Sequence, residues 1–313
     1  MKLSFIIPVL NEEQSLHPLY SEILENIENC KHEIIFIDDG SSDGSFAVMQ
    51  ELAAKDKNVK IIKFRKNFGK AASLDAGFEA AQGDIIFTMD ADLQDDPKEI
   101  INFIKKIEQG YDLVSGWKKK RKDPIHKTFP SKLFNAITAK FFRLKLHDYN
   151  CGFKAYRKEV IKELDIYGEM HRYIPALADS KGFKITEIPV NHRPRKFGKS
   201  KYGIERYIRG FLDLLTVKLV TSYTHSPLYL FGRIGTTFSI IGFLIGLYLT
   251  IMKFWFHQPL YNRPLLYLSI LLIMLGLQFF SIGLIGELLV NQNRKQNKSK
   301  TISIEKKINL QVK

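Results

Sequence analysis

Short apolar runs separated by amphipathic stretches occupy the first two hundred residues. Leu3–Val9, Glu33–Ile37, Val59–Phe64, Asp84–Met89 and Asp112–Ser115 read as buried strands, and Lys184–Val190 as a late sixth. Between them, Ser15–Ile27 places Leu16, Leu19, Ile23 and Ile27 on one helical face. Asp43–Ala54, Lys70–Ala81 and Pro97–Glu108 supply the other crossover helices, with two more expected near Ser131–Phe142 and His171–Ser180. Alternation of this kind predicts an α/β fold, a Rossmann-like and mostly parallel sheet covered on both faces. Leu3–Leu10 is too short for a secretory signal, contains Pro8 and leads into Asn11-Glu12-Glu13, so it reads as a strand.

The pattern changes after Gly203. Ile204, Tyr207, Ile208, Phe211, Leu215 and Leu219 fall on one face of an amphipathic helix, the form expected of a segment lying on a membrane surface. Ile234–Met252 and Leu265–Gly286 then run for 19 and 22 residues without a charge. At 1.5 Å per residue the first covers about 28 Å, close to a bilayer's hydrocarbon core. A short loop, Lys253–Pro264, joins the two expected spans, and Asn291–Lys313 carries seven Lys/Arg against one Glu. This organisation predicts an α/β domain over 1–205, juxtamembrane helices over 206–230, two spans within 231–290 and a basic tail over 291–313. The tail is polar enough to be expected mostly disordered. The basic flanks place both chain ends, and with them the domain over 1–205, on the cytosolic side.

Charge adds that the partners are anionic. Lys and Arg outnumber Asp and Glu 47 to 33, a net +14, which suits phosphorylated substrates, acidic headgroups or nucleic acid. The paired apolar runs favour the first two and argue against nucleic acid. Cys30 and Cys151 form no zinc or redox pattern and no disulfide framework, as expected of a reducing cytosol.

Candidate chemistry gathers at predicted strand ends, where open α/β sheets bind ligands. The fourth strand runs into Asp90-Ala91-Asp92-Leu93-Gln94-Asp95-Asp96, four carboxylates within seven residues. Such a cluster needs compensation, and a hard divalent cation, Mg²⁺ or Mn²⁺, shared with substrate phosphates supplies it. A solvated acidic turn capping the next helix is the plainer reading, favoured for a lone D-x-D. The first strand ends in Pro8-Val9-Leu10-Asn11-Glu12-Glu13 and the second in Asp38-Asp39-Gly40-Ser41-Ser42-Asp43-Gly44. Asp39 suits a base or ribose, while Ser42 or Asp43 also reads as a helix cap. Neither segment is G-x-G-x-x-G or a P-loop.

In this order PVLNEE, IIFIDDGSSDGS, RKNFGKAASLDAGFEAAQGD and FTMDADLQDDP resemble the inverting glycosyltransferases of family 2 and their GT-A domain. The nearer likeness is to the polyprenyl-phosphate branch, which includes dolichol-phosphate mannose synthase and bacterial undecaprenyl-phosphate glucosyltransferases. It covers residues 1–205, and the paired C-terminal spans match the bacterial members. The resemblance implies that Pro8, Asn11, Glu12, Asp39 and Asp90 line the donor nucleotide. It implies that Asp90, Asp92 and Gln94 form the metal and diphosphate triplet, with Asp92 the direct ligand. Arg195, Gly198, Ser200 and Lys201 match the family's R-x-x-G-x-S-K loop, so Arg195 and Ser200 are expected at a phosphate. Many relatives carry an Arg near Trp117, whereas here the basic run begins at Lys118. Arg121, or Lys132, is therefore the candidate for the acceptor phosphate, with attraction to acidic headgroups an equal reading of that run. Glu169 and His171 are expected to shape the site rather than act as acid or base, because a phosphate acceptor is already ionised at neutral pH.

The implied activity is a metal-dependent transfer of a sugar, UDP-linked by preference, to polyprenyl phosphate with inversion at the anomeric carbon. Catalysis then rests on Asp92, Arg195 and Arg121. The alternatives are a membrane glycosyltransferase acting on another glycolipid or a growing saccharide, and a catalytically silent scaffold binding nucleotide-sugar or lipid. A processive synthase lacks its Q-x-x-R-W here. Self-association through Gly242 and Gly246, a G-x-x-x-G pair, is left open.

Overall fold

The computed structural model describes residues 1–27, 30–119, 138–139, 142, 144–164, 166, 168, 170–194, 214, 216–217, 227–257, 259, 263–293 and 304–308. These residues fall into two compact units, 1–217 with 300–313, and 218–299.

The first unit is built on one eight-stranded sheet. Its strands are β1 (Lys2–Val9), β2 (Lys31–Asp38), β3 (Val59–Phe64), β4 (Ile85–Thr88), β5 (Leu113–Trp117), β6 (Lys154–Arg157), β7 (Ile185–Pro189) and β8 (Ile304–Ile308). Their spatial order is β7-β5-β6-β4-β1-β2-β3-β8. Neighbours β1, β2, β3 and β4 pair in parallel, as do β5 and β7. Two strands run the other way. β6 lies antiparallel between β4 and β5, and β8 is antiparallel to β3.

Helices α1 (Glu13–Glu25), α2 (Ser45–Lys55), α3 (Lys70–Ala80), α4 (Ile100–Glu108), α5 (Lys158–Glu163) and α6 (Ile174–Ser180) flank this sheet. The expected helix over 97–108 starts as a 3₁₀ turn at Pro97–Glu99, where Asp96 accepts from the Lys98 amide. Proline lacks the amide that an interior α-turn needs, so it sits at the start of this element.

Alternate residues of each strand feed two cores. On one face Phe5, Phe87, Phe103 and Phe153 pack together with Leu16, Leu19 and Met49 of α1 and α2. On the other, Ile6, Ile35 and Ile37 meet Leu74 and Phe78 of α3 and Tyr173 and Leu177 near α6. Burial on both faces explains why these strands read as unbroken apolar runs. A Cβ on Gly77 would lie 2.4 Å from Ile6 Cγ2, so α3 reaches its depth against β1 only with glycine there.

Two readings of the sequence change. β6 was not expected, because four residues, Lys-Ala-Tyr-Arg, show too little periodicity to mark a strand. The tail is not wholly irregular, since Ile304–Ile308 forms the edge strand on β3. The amphipathic segment after Gly203 lies mostly outside the described residues, but Leu214 and Val217 are buried in the core of the first unit. The helix expected over 131–142 also falls largely outside them.

The second unit consists of α7 (Pro227–Phe254) and α8 (Pro264–Asn293). Within it Gly235 faces Gly276, and the Ser269 hydroxyl donates to the Gly242 carbonyl at 2.8 Å. The stretches Pro227–Phe254 and Pro264–Gly286 are long and apolar enough to cross a membrane, and only 17% of each apolar window is buried.

Candidate active site

The order 3-2-1-4 creates a switch point between β1 and β4. Chain leaving β1 turns toward β2, and chain leaving β4 turns toward the other half of the sheet. A crevice must open above the carboxyl ends of these strands. Because β6 is antiparallel, its beginning also lies at this rim, which brings Gly152 and Lys154 beside the end of β4.

The loops after β1 and β2 are laced together. Asn11 adopts φ 52° and its side-chain oxygen accepts from the Ser42 amide at 2.7 Å, while its own amide donates to Ser41 Oγ at 3.0 Å. The Glu12 amide donates to Ser45 Oγ at 2.8 Å, and Glu13 accepts from the Gly44 amide at 3.1 Å. Gly40, at φ 75°, lets this loop pass the chain at Asn67, whose nitrogen would lie 2.7 Å from any Cβ. Pro8 precedes this loop in β1, opposite Ile37.

Asp39 is buried at the end of β2. Its carboxylate accepts from the amides of Phe68 at 2.7 Å and Gly69 at 3.0 Å, at the amino end of α3. Burial pushes its pKa up to about 6, against the lowering effect of those two amides. Asp38 Oδ1 accepts from the Ser41 amide at 2.8 Å.

The turn after β4 carries the acidic cluster. Leu93 is buried with φ 60°, an unusual conformation for a branched side chain and one that sharpens the turn between Asp92 and Gln94. Asp92 Oδ1 accepts from the Gln94 amide at 3.2 Å. Gln94 is tied to the strand-end segment after β7, its carbonyl accepting from the Arg193 amide at 2.9 Å. Arg193 in turn donates to Asp95 O at 2.8 Å and pairs with Glu22 at 2.7 Å.

Asp90 is half-buried, with one side open to the crevice. Lys70, the first residue of α3, donates to its Oδ1. Gly152 packs against its other side, where a Cβ would lie 2.6 Å from Oδ2. Burial alone would raise the Asp90 pKa, but Lys70 and Lys118 hold it well below the usual carboxylate range. Lys118 Nζ lies 3.3 Å from Asp95 Oδ1. Burial works against its charge, and Asp95 overrides that, holding its proton more tightly than usual. Lys154 is buried, donates to the Cys151 carbonyl, and is pulled down by desolvation. His171, described where Glu169 is not, is half-buried and kept neutral, by desolvation first and then by Lys70 and Arg172. That fits a residue that shapes the site.

The rim thus alternates carboxylates with ammonium groups within one crevice. Among the described residues no three carboxylate, imidazole or thiol groups converge on one point. Asp90 and Asp92 instead offer two hard oxygen ligands beside cationic side chains. That fits Mg²⁺ or Mn²⁺, which one or two carboxylates hold together with substrate phosphates.

Residues 4–165 match glycosyl transferase family 2. The chain belongs to this family. It is 36% identical over 296 residues to dodecaprenyl-phosphate galacturonate synthase of Rhizobium johnstonii, covering 92% of this chain and 88% of that protein. It is 38% identical over 293 residues to undecaprenyl-phosphate 4-deoxy-4-formamido-L-arabinose transferase of Shewanella sediminis, covering 91% and 86%. Glucosyl-3-phosphoglycerate synthase of Mycobacterium tuberculosis, solved with Mn²⁺ and UDP-glucose, superposes with a TM-score of 0.55 at 18% identity, over 72% of this chain and 81% of that one. That likeness is one of fold, and the sheet is the GT-A sheet of family 2.

For this family 2 chain the structure gathers Pro8, Asn11, Glu12, Asp39, Asp90, Asp92 and Gln94 at one rim. Arg121, Lys132, Arg195 and Ser200 lie outside the described residues. Lys118, first of the basic run, turns inward to Asp95, so it is not available for acidic headgroups. The sequence marked the stretches 150–154 and 192–202 as resembling the family but gave Gly152, Lys154 and Arg193 no role of their own, and assigned Lys70 no partner. Lys70 meets Asp90 20 residues on and Arg193 reaches Glu22 across 171, beyond any local signal, whereas Lys154 bonds the Cys151 carbonyl only three residues back.

Proposed function

We propose that this protein transfers a sugar from a nucleotide diphosphate sugar to polyprenyl phosphate at a membrane. The supporting observation is the likeness to two polyprenyl-phosphate sugar transferases over 91–92% of the chain. Coverage that wide takes in the long apolar helices as well as the GT-A unit, and those helices would hold the enzyme where a lipid acceptor resides.

In this reading Asn11, Glu12 and Asp39 bind the nucleotide, UDP by preference. Asp90 and Asp92 would hold Mg²⁺ or Mn²⁺, with Gln94 beside them, and the ion would supply neutralisation of the charge that grows on the leaving diphosphate. A phosphate oxygen of the acceptor attacks the anomeric carbon from the face opposite the nucleotide. The carbon–oxygen bond to the diphosphate breaks as the new one forms, which inverts that carbon. The acceptor oxygen is already ionised and needs no strong base, so the side chains chiefly position and neutralise charge. Arg195, Ser200 and Arg121 or Lys132 grip the acceptor phosphate, and Arg suits that task through its bidentate fork. Embedding in a bacterial inner membrane with both ends cytosolic belongs to the same proposal.

The test incubates membranes containing the protein with undecaprenyl phosphate and a panel of nucleotide sugars, and identifies products by mass spectrometry. A glycosylated polyprenyl phosphate is expected from one donor class. Asp92→Ala should abolish its formation while the protein still folds and inserts. A sugar found only on another glycolipid, or near-normal turnover by Asp92→Ala, would refute the reading.

A further inference from the structure

The ion pair at the start of α3 is not there for the helix. Lys70 occupies the first helical position, where a cation meets the positive end of the macrodipole, and no acidic residue follows in the first turn. The amides just before it already serve Asp39. Its compensation comes from Asp90, across the rim. That carboxylate is fixed from two sides, by the ammonium on Oδ1 and by the Gly152 backbone. Both side chains keep an open side to the crevice, 23% exposed for Lys70 and 31% for Asp90.

A divalent cation and an ammonium cannot share one carboxylate oxygen at close range without strong repulsion. A diphosphate changes that balance, because it brings several negative charges that accept both cations. Building on the function proposed above, we propose that Lys70 is an exchangeable counter-ion. It occupies Asp90 until a nucleoside diphosphate arrives with its metal, then moves from the carboxylate to the diphosphate. Metal alone is therefore held weakly, and metal and donor load together. Lys118 stays with Asp95 through the exchange and keeps the rim's remaining charge balanced.

Mn²⁺ binding to the full-length protein in detergent, followed by the loss of the free-ion EPR signal, tests this without relying on turnover. The arms are Mn²⁺ alone, Mn²⁺ with UDP, and Mn²⁺ with GDP. Lys70→Met should bind Mn²⁺ alone about tenfold more tightly than the unaltered protein, the equivalent of one charge-assisted hydrogen bond. UDP or GDP should then add less to its Mn²⁺ affinity than it adds for the unaltered protein. Lys70→Arg keeps the cation and should keep the weak metal-only binding. Mn²⁺ alone should also raise the melting temperature of Lys70→Met more than that of the unaltered protein, a readout confined to folded molecules. If the unaltered protein binds Mn²⁺ only with nucleotide, yet Lys70→Met and Lys70→Gln bind Mn²⁺ alone no better, the exchange is refuted and the donor site stands. If no form binds Mn²⁺ with either nucleotide, both fall.

Discussion

Gly152 and Asp39 show how single positions govern this rim. Gly152 has no side chain because the Asp90 carboxylate occupies the volume a Cβ would take. Gly152→Ala should push that carboxylate out of place and lower turnover by about a hundredfold, the scale of a 1 Å misplacement. The melting temperature should fall only modestly, and an unchanged rate would show that Asp90 has room to move. Asp39 makes a pH prediction. Its folded pKa is raised to about 6, so the carboxylate form is present above that pH and is lost as pH falls through it. In its proposed role as acceptor for the nucleotide, binding of UDP should strengthen as pH rises through about 6. Asp39→Asn should lack that component, which calorimetric titrations of both proteins between pH 5 and 8 would separate from the titration of UDP itself.

Among the elements, β1, β2 and β3 are pinned at the end of the sheet opposite the crevice. Glu33, only 1% exposed, accepts from Lys2 at 2.8 Å, Lys60 at 2.6 Å, Ser4 Oγ and the Gln82 amide. Burial alone would raise its pKa, but these donors bring it down to about 2. A depressed carboxylate stabilises the fold above its unfolded pKa, and that contribution disappears as pH falls toward the folded one. The shift is equivalent to about 3 kcal/mol. The full-length protein should therefore lose stability between about pH 5 and pH 2. Glu33→Gln should melt lower at pH 7 and lose less over that window. Parallel curves for the two proteins would show that Glu33 does not carry the acid sensitivity. The early strands were legible because burial on both faces makes them continuous apolar runs. β6 was not, because a strand of four residues is recognised by what it pairs with.

At the scale of the whole molecule, the first unit is closed by residues from the far end of the chain. β8 pairs along β3, and deleting 300–313 exposes that edge. An uncovered strand invites pairing with other chains. The truncated protein should aggregate more readily and melt lower, as size-exclusion chromatography and thermal denaturation would show. A construction ending before Pro227 therefore removes more than the apolar helices. Tyr229, Phe243, Met274 and Leu277 of those helices are more than 60% exposed, a surface that water does not favour. Alkaline carbonate should leave the full-length protein in the membrane fraction, and its release would argue against spanning helices.

By itself the sequence determined the βα alternation, the long uncharged runs and the acidic turn at Asp90–Asp96, since each is a local pattern with a local physical cause. It also carried enough matching motifs to place the chain in its family. Tertiary structure decided what meets at the rim. Gly152 against Asp90 and Lys118 with Asp95 exist only once a reversed strand lies between β4 and β5, and Lys70 with Asp90 only once α3 has packed on β1 and β2. Periodicity reports which face of an element is buried, while the partner across the crevice depends on how distant segments of the chain are brought together.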